Sequence, residues 1–190
     1  MHSIGKSDEQ RLVKRLRNGE NGAMEEFYSK YAPYLKGVCS RYISDKEDVK
    51  DVFQNALVRI LTHTKEFKYH GQSSLRVWAT RIVINEALRF LNSTKRHELT
   101  TWDDDMMNEV EEDDPPVEDI PPEVIQQMVR QLPTGYRTVF NLYVFEDKSH
   151  QEIARLLGIS VGTSSSQLCR AKNMLADMIR EYNDKKRLPR

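Results

Sequence analysis

Residues 149–172, SHQEIARLLGISVGTSSSQLCRAK, decide how the C-terminal part of this chain folds. Ser149 and Glu152 have the spacing of a capping box, in which a serine hydroxyl and a glutamate carboxylate satisfy backbone donors at the start of a helix. Gly158 ends this helix, because glycine adopts the left-handed conformation that a tight turn between helices needs. Ser160 then caps a second helix. The pattern predicts a helix-turn-helix unit, and an ordinary helical hairpin is the alternative.

The second helix of this unit is the candidate for reading DNA, since that helix usually lies in the major groove. Serine and glutamine can bond base edges or phosphates, while arginine and lysine bind backbone phosphates. The predicted DNA-facing residues are Thr163, Ser164, Ser165, Ser166, Gln167, Arg170 and Lys172, together with Ser149 at the start of the first helix. The consecutive serines carry no charge, so we expect modest affinity from this unit alone.

Apolar residues at helical spacing extend the helical pattern upstream. Pro133 separates a short helix over residues 124–132 from a second helix, because proline cannot continue the hydrogen-bonded turn. The stripe predicted to be buried in that second helix consists of Tyr136, Val139, Phe140 and Tyr143.

In the N-terminal half, the helical periodicity begins near residue 22 and predicts three helices. The first buries Phe27, Tyr31, Leu35, Val38 and Tyr42. The second begins after Ser44 or Asp45 as N-cap and buries Val49, Val52, Phe53, Ala56, Leu57, Ile60 and Leu61. The third follows the break HGQSS (70–74) and buries Leu75, Trp78, Ala79, Ile82 and Val83. No segment has a strand pattern, so the predicted fold class is all-α.

Residues 65–96 combine positive charge with aromatic side chains. They hold seven Lys/Arg against two Asp/Glu. The aromatic residues are Phe67, Tyr69, Trp78 and Phe90. Basic groups bind phosphates, and exposed aromatic rings stack on unpaired bases for ~1–3 kcal/mol per base. Trp78 and Phe90 fit helical spacing, which favours core packing, whereas Tyr69 and His70 lie in a predicted loop. This loop is therefore the candidate site for single-stranded nucleic acid.

Charge is unevenly distributed along the 190 residues, although 29 basic and 29 acidic side chains leave no formal net charge. Residues 1–101 hold 18 basic and 12 acidic side chains, residues 102–122 hold none and 10, and residues 123–190 hold 11 and 7. The acidic segment has two Pro-Pro pairs and few apolar residues, so it cannot offset the entropy of ordering. We predict two small helical domains joined by an acidic flexible linker. The boundaries are 1–97, linker 98–122, 123–184 and a basic tail at 185–190.

Membrane insertion and catalysis are disfavoured by the sequence. The longest aliphatic run, Ile82-Val83-Ile84, is far shorter than the ~20 apolar residues that span a bilayer, and the N-terminus has no signal-peptide pattern. Cys39 and Cys169 have no partners at zinc spacing, and the histidines are scattered. We therefore expect a cytoplasmic protein that is not an enzyme, with no direct membrane insertion, no cofactor, no metal site and no catalytic residues.

Four stretches resemble the extracytoplasmic-function (ECF) sigma factors of the sigma-70 family, over nearly the whole chain. EEFYSKYAPYL (25–35) is similar to the first conserved helix of the family, and DVKDVFQNALVRI (48–60) to the helix that binds the RNA polymerase clamp. YHGQSSLRVWATRIVINEAL (69–88) resembles the segment that reads and opens the −10 promoter element, and residues 132–172 resemble the −35-reading domain. The resemblance implies a promoter-specificity subunit of bacterial RNA polymerase.

The resemblance also implies roles for particular residues. The core polymerase contacts would be Asp48, Asp51, Gln54 and Asn55. The −10 element would be bound by Tyr69, His70, Gly71, Gln72, Ser73, Ser74, Arg76, Arg81, Asn85 and Arg89, with the loop 70–74 capturing a flipped base. The −35 contacts would be the helix-turn-helix residues named above. Many relatives read GTVKSRLHRAR where this chain reads GTSSSQLCRAK (162–172), so Ser165 and Gln167 replace two basic residues.

The implied partners are RNA polymerase core enzyme, promoter DNA and an inhibitory anti-sigma factor, soluble or membrane-bound. Polymerase would hold both domains at fixed spacing, which raises the effective concentration of the second DNA contact. The acidic linker would lie in the positively charged path that later carries RNA. The alternative is a stand-alone helix-turn-helix regulator. Such regulators usually bind palindromes as dimers, and this chain has one such motif and no sustained heptad seam.

Overall fold

The computed structural model describes residues 6–94, 115–117 and 120–187, and this part of the chain consists of eight α-helices without a strand. The predicted all-α fold class is confirmed. Backbone contacts divide the chain into two units, Met1–Leu91 and Asn92–Arg190. Most of the predicted linker, 98–122, lies outside the described residues. Among the described helices, none is both long and apolar enough to cross a membrane.

The N-terminal unit contains α1 (Lys6–Arg17), α2 (Ala23–Tyr42), α3 (Lys46–His63) and α4 (Ser74–Thr94). The periodicity near residue 22 predicted α2 but not α1. Helix α1 packs on α2 by burying Leu12 and Val13, which are 1% and 2% exposed. Asp45 is the N-cap of α3, since its carboxylate accepts the backbone N–H groups of Glu47 and Asp48.

The core of this unit contains most of the predicted apolar stripe residues, including Phe27, Leu35, Phe53 and Ile60. Leu61 is an exception, because it is 43% exposed. Successive helical residues point about 100° apart, so a helix that buries Ile60 turns its neighbour toward solvent. The predicted core residues Val49, Leu57, Trp78 and Ile82 are only half-buried.

The C-terminal unit contains α5 (Pro122–Gln131), α6 (Thr134–Val144), α7 (His150–Leu157) and α8 (Val161–Arg187). Helix α8 packs on α5, α6 and α7. The core cluster consists of Ile120, Met128, Val129, Leu132, Tyr136, Ala171, Leu175 and Ile179. Pro133 separates α5 from α6 as predicted.

Three sequence expectations about this unit need correction. Ile120, assigned to the linker, is 5% exposed in the core, and Asn183 donates to the carbonyl of Pro116 at 3.1 Å. The packed part of this unit therefore begins before residue 123. Tyr143, assigned to the buried stripe, is 40% exposed, and its ring stacks on His150 with 4.9 Å between centroids. Helix α8 continues through Lys185 and Lys186, where a tail was expected.

Candidate nucleic-acid interface

The loop that precedes α4 turns sharply just before the helix begins. Gly71 and Ser73 both have positive φ, 110° and 69°. The backbone N–H of Ser74 donates to the carbonyl of Gly71 at 3.2 Å and closes the turn. Glycine adopts such a φ without strain, but a left-handed serine needs support from its surroundings.

The side chains of this loop differ in exposure. His70 and Gln72 are exposed, and Tyr69 is half-buried. Partial burial, and then the negative charge of Glu9, raise the pKa of the Tyr69 hydroxyl. The predicted loop thus places a half-buried aromatic ring beside exposed polar groups. An unpaired base can stack on such a ring and form hydrogen bonds with such polar groups.

Glu9 of α1 caps α4 from a distant part of the sequence. Its side chain is buried, and its Oε2 accepts the backbone N–H of Ser73 at 2.9 Å. Its Oε1 accepts the backbone N–H of Leu75, also at 2.9 Å, and the hydroxyl of Ser74 at 3.4 Å. Tyr31 donates its hydroxyl to Oε2 at 3.5 Å. Burial and the Glu9 charge raise the pKa of Tyr31.

Glu9 is not among the residues predicted from the sequence. One signal was available, since Glu9 lies three and four positions before Leu12 and Val13 and so shares their helix face. An acid on the buried face of a helix needs hydrogen-bond partners inside the protein. Nothing in the local sequence indicates that those partners lie at the start of α4.

Helix α4 presents the predicted polar residues to solvent. Arg76, Arg81, Asn85 and Arg89 are all exposed. Three of them, Arg81, Asn85 and Arg89, recur every fourth residue and form one stripe along the helix. The guanidinium of Arg76 lies 5.4 Å from the centre of the Tyr34 ring, a cation–π contact that orients it.

A cleft of about 330 Å³ lies beside this stripe, between α3 and α4. It is lined by Arg59, His63, Trp78, Asn85, Glu86 and Arg89, among others. The Glu86 side chain is 9% exposed and pairs with Arg59 and with Arg89, the latter at 2.7 Å. The pairing of Arg59 with Glu86 was not predicted. Glu86 thus holds the guanidinium groups of Arg59 and Arg89 close together, next to the polar stripe of α4.

The predicted polymerase-binding residues lie on the surface of α3. Asp51, Gln54 and Asn55 are exposed, and Asp48 is half-buried. Val58 continues the same face at helical spacing and is 59% exposed, although the sequence did not identify it. Single exposed apolar side chains are common on protein surfaces, so Val58 only adds apolar area to this polar face.

The helix-turn-helix unit has the predicted local geometry. The hydroxyl of Ser149 accepts the backbone N–H of Glu152 at 3.3 Å, and the Glu152 carboxylate accepts the backbone N–H of Ser149 at 2.9 Å. The Ser149 backbone N–H and the Ser149 hydroxyl both donate to this carboxylate at 2.9 Å and, with Lys148, lower the pKa of Glu152 to about 2. Gly158 is left-handed at φ 69°, and the hydroxyl of Ser160 accepts the backbone N–H of Thr163 at 2.9 Å.

Two predicted DNA-facing residues of α8 point inward. Ser164 and Gln167 are 0% and 2% exposed. The Ser164 hydroxyl lies 2.9 Å from Nδ1 of His150, and the Gln167 amide packs over Gly135, where an added Cβ would lie 3.4 Å from its oxygen. The prediction that they face outward is wrong, because α6 and α7 cover this side of α8.

The other predicted residues of α8 are accessible to different degrees. Ser165 and Lys172 are exposed, while Thr163, Ser166 and Arg170 are half-buried. The Thr163 hydroxyl lies 2.8 Å from that of Ser160, and the Ser166 hydroxyl donates to the carbonyl of Thr163 at 3.1 Å. Arg170 donates to the Tyr136 hydroxyl at 3.4 Å. The accessible residues of the predicted set therefore offer the ammonium of Lys172 and several hydroxyl groups.

The remaining question for the described residues is whether they hold a metal-ligating cluster or a reactive thiol. They include no group of three or more His, Cys, Asp or Glu that could hold a metal ion. Burial raises the pKa of the Cys39 thiol to about 12, so this cysteine is not a reactive thiolate at neutral pH.

Comparison with known families matches the two units to two conserved regions. A family model described as Sigma-70 region 2 matches residues 27–97, and one described as Sigma-70, region 4 matches residues 123–175. Among curated proteins, the chain is 28% identical to the RNA polymerase sigma-H factor of Pseudomonas aeruginosa, covering 90% of this chain and 94% of that protein. It is 26% identical to the ECF RNA polymerase sigma-E factor of Haemophilus influenzae, covering 90% and 95%.

Two solved structures are also similar. One is CnrH in complex with the cytosolic domain of CnrY, at 21% identity and a TM-score of 0.47, covering 90% of this chain and 96% of that one. The other is the sigma factor RpoE in complex with the anti-sigma factor NepR from Bartonella quintana, at 18% identity and a TM-score of 0.48, covering 84% and 98%.

Proposed function

Because the chain belongs to the sigma-70 family, as an ECF-type sigma factor that directs transcription initiation, we propose which of its residues carry out that function. Region 2 binds core polymerase through α3 and opens the −10 element through the loop 69–74 and α4. Region 4 reads the −35 element through α7 and α8. The observation that carries the proposal is the sharply turned loop that leads directly into the polar stripe of α4.

At the −10 element, two kinds of contact act together. Arg76, Arg81 and Arg89 bind phosphates of the separated strand, and Asn85 lies in the same stripe. Tyr69 and the loop residues His70 to Ser74 hold one flipped base. Stacking of ~1–3 kcal/mol on an aromatic ring offsets an unstacking cost of a few kcal/mol. The loop therefore stabilises the open form of the promoter more than it stabilises the duplex.

At the −35 element, the proposal keeps the accessible residues of the predicted set. Ser165 and Lys172 contact DNA directly, and Thr163, Ser166 and Arg170 lie at the edge of the contact. Ser149, at the N-terminus of α7, lies where the first helix of such a unit crosses the DNA backbone. Ser164 and Gln167 are buried against α6 and α7 and are removed from the set. Because Arg170 and Lys172 are the only basic residues in this contact set, region 4 binds DNA weakly without polymerase.

Core polymerase makes these weak contacts effective. Asp48, Asp51, Gln54 and Asn55 bind the clamp, and Val58 adds apolar area to the same face. Once region 2 is bound, region 4 meets the promoter at high effective concentration. The domain boundary at 97, a region 4 that begins before residue 123, and the role of the acidic linker in the polymerase channel belong to this proposal. This function places the protein in the cytoplasm and makes it a specificity subunit with no catalytic residues of its own.

An inhibitory anti-sigma factor, soluble or membrane-bound, completes the set of proposed partners. The exposed faces of α3 and α4 are needed for polymerase and DNA, so a protein that covers them blocks initiation. A stand-alone regulator is the less favoured alternative, since residues 27–97 match a conserved sigma region and not a sensor domain.

The proposal is tested by transcription with core polymerase and the purified chain. We expect Tyr69→Ala to reduce initiation on a duplex promoter about tenfold or more, the equivalent of one lost stacking contact, and to have a smaller effect on a pre-melted promoter. Tyr69→Phe is the matched control, because it keeps the ring, and it should retain most of the activity. An equal loss on both templates would mean that Tyr69 contributes to binding and not to strand opening.

A further inference from the structure

We infer that Glu9 is a positioning residue for promoter opening, because its buried carboxylate holds the loop 69–74 in the shape that receives a base. This inference rests on the proposed function of the loop. Glu9 itself is buried under the loop, with only 5% of its surface exposed, so it cannot contact DNA. It acts only through the backbone and side chains that it binds.

The start of α4 is capped by Glu9, a residue distant in the sequence. An N-cap residue normally has extended backbone, so that its own side chain reaches the free N–H groups of the first turn. Ser73 occupies this position with a left-handed φ of 69°. Glu9 supplies an acceptor from 64 residues away. Its negative charge also interacts favourably with the N-terminal end of the α4 dipole.

Both oxygens of the carboxylate are used. Oε2 accepts from Ser73, and Oε1 accepts from Leu75, each at 2.9 Å. A glutamine at this position has one oxygen and one NH₂ group, so one of the two backbone donors would face another donor. The site therefore requires a carboxylate and not merely a polar side chain of the same size.

The contacts continue from the cap into the base-binding part of the loop. The Ser74 hydroxyl donates to Glu9, and the same hydroxyl accepts the backbone N–H of His70 at 3.3 Å. Tyr31 of α2 anchors the carboxylate from the other side. One buried group thus connects α1, α2 and both ends of the loop. A loop ordered before it meets DNA loses less entropy on capturing a base.

The test begins with amide hydrogen exchange on the full chain. In the unmodified protein we expect the Ser73 and Leu75 amides to exchange slowly, although residues at a helix start have no intrahelical acceptor. Glu9→Gln should increase the exchange rates of these two amides about tenfold. A tenfold change corresponds to the loss of a hydrogen bond worth ~1.4 kcal/mol. The Phe53 amide, near the middle of α3, reports global stability and should change less.

The second measurement is initiation with core polymerase on duplex and pre-melted promoters. We expect Glu9→Gln to impair the duplex template several-fold more than the pre-melted one. Asp8→Asn is the matched control, because it removes the same charge at the neighbouring position. The Asp8 side chain is 45% exposed and pairs with Arg11. This variant should leave both exchange and initiation unchanged.

Each outcome is decisive. Fast exchange of Ser73 and Leu75 in the unmodified chain would overturn the inference even if Glu9→Gln failed to fold. Faster loop exchange in Glu9→Gln with unchanged initiation would also overturn it. A defect of Tyr69→Ala that is equal on both templates would instead reject the proposed role of the loop, and the exchange data would still show whether Glu9 orders it.

Discussion

Replacing Gln167 by methionine should stabilise the C-terminal unit by ~1–2 kcal/mol. Gln167 is 2% exposed, and neither atom of its side-chain amide has a hydrogen-bond partner among the residues that the structure describes. Mutational data assign ~1–3 kcal/mol to a buried polar group left without such a partner. Methionine is unbranched and of similar volume, so it fills the same space over Gly135 without the polar atoms.

The assay is hydrogen exchange of the slowest amides in the C-terminal unit of the full chain, because exchange reports the stability of each unit separately. A thermal scan should show this unit melting about 4–8 °C higher for each kcal/mol gained. Gln151→Met is the control, since it makes the same change at an exposed position of α7 and should stay within ~0.5 kcal/mol. Destabilisation by more than ~1 kcal/mol would refute the reasoning, as would loss of −35-dependent transcription by a folded variant.

Two further predictions concern charge. The folded-state pKa of Glu152 is about 2, below its ordinary 4.5, so the stabilisation it contributes is present above pH 4.5 and lost as pH falls toward 2. As the pH is lowered from 4.5 toward 2, the melting temperature should fall less in Glu152→Gln than in the unmodified chain. An equal fall in both proteins would contradict the capping box as the cause of this stabilisation. The binding constant of the holoenzyme for a single-stranded −10 oligonucleotide falls with salt, and the slope of its logarithm against log salt concentration counts phosphate contacts. Arg81→Ala should reduce the size of this slope by about 1, and Arg11→Ala, on α1, should leave it unchanged. Equal slopes for the two variants would remove Arg81 from the DNA contact.

Much of the fold could be predicted because its signals are local. Ser149, Glu152, Gly158 and Ser160 act on backbone groups within a few residues of themselves, and each adopts the predicted conformation. Asp45 caps α3 for the same reason. Capping and turn preferences depend on the chain neighbours of a residue, so the order and limits of these helices follow from sequence.

The exposure of polar residues on α4 could also be predicted, since Arg76, Arg81, Asn85 and Arg89 alternate with a strong apolar stripe. The same reasoning failed on α8. Ser164 and Gln167 are polar by type but buried, because α6 and α7 lie against that face. A serine or glutamine does not reveal in sequence whether another helix will cover it.

The amino-acid sequence alone therefore indicated seven of the eight described helices, where most of these begin and end, and which family the chain belongs to; it did not indicate α1. Tertiary structure alone decided that Glu9 caps a helix 64 residues away, that Ile120 enters a core and that Gln167 leaves the DNA-facing surface. The physical reason is the range of the interactions. Caps and turns are set between neighbours along the chain, whereas burial and long-range hydrogen bonds depend on which helices pack together.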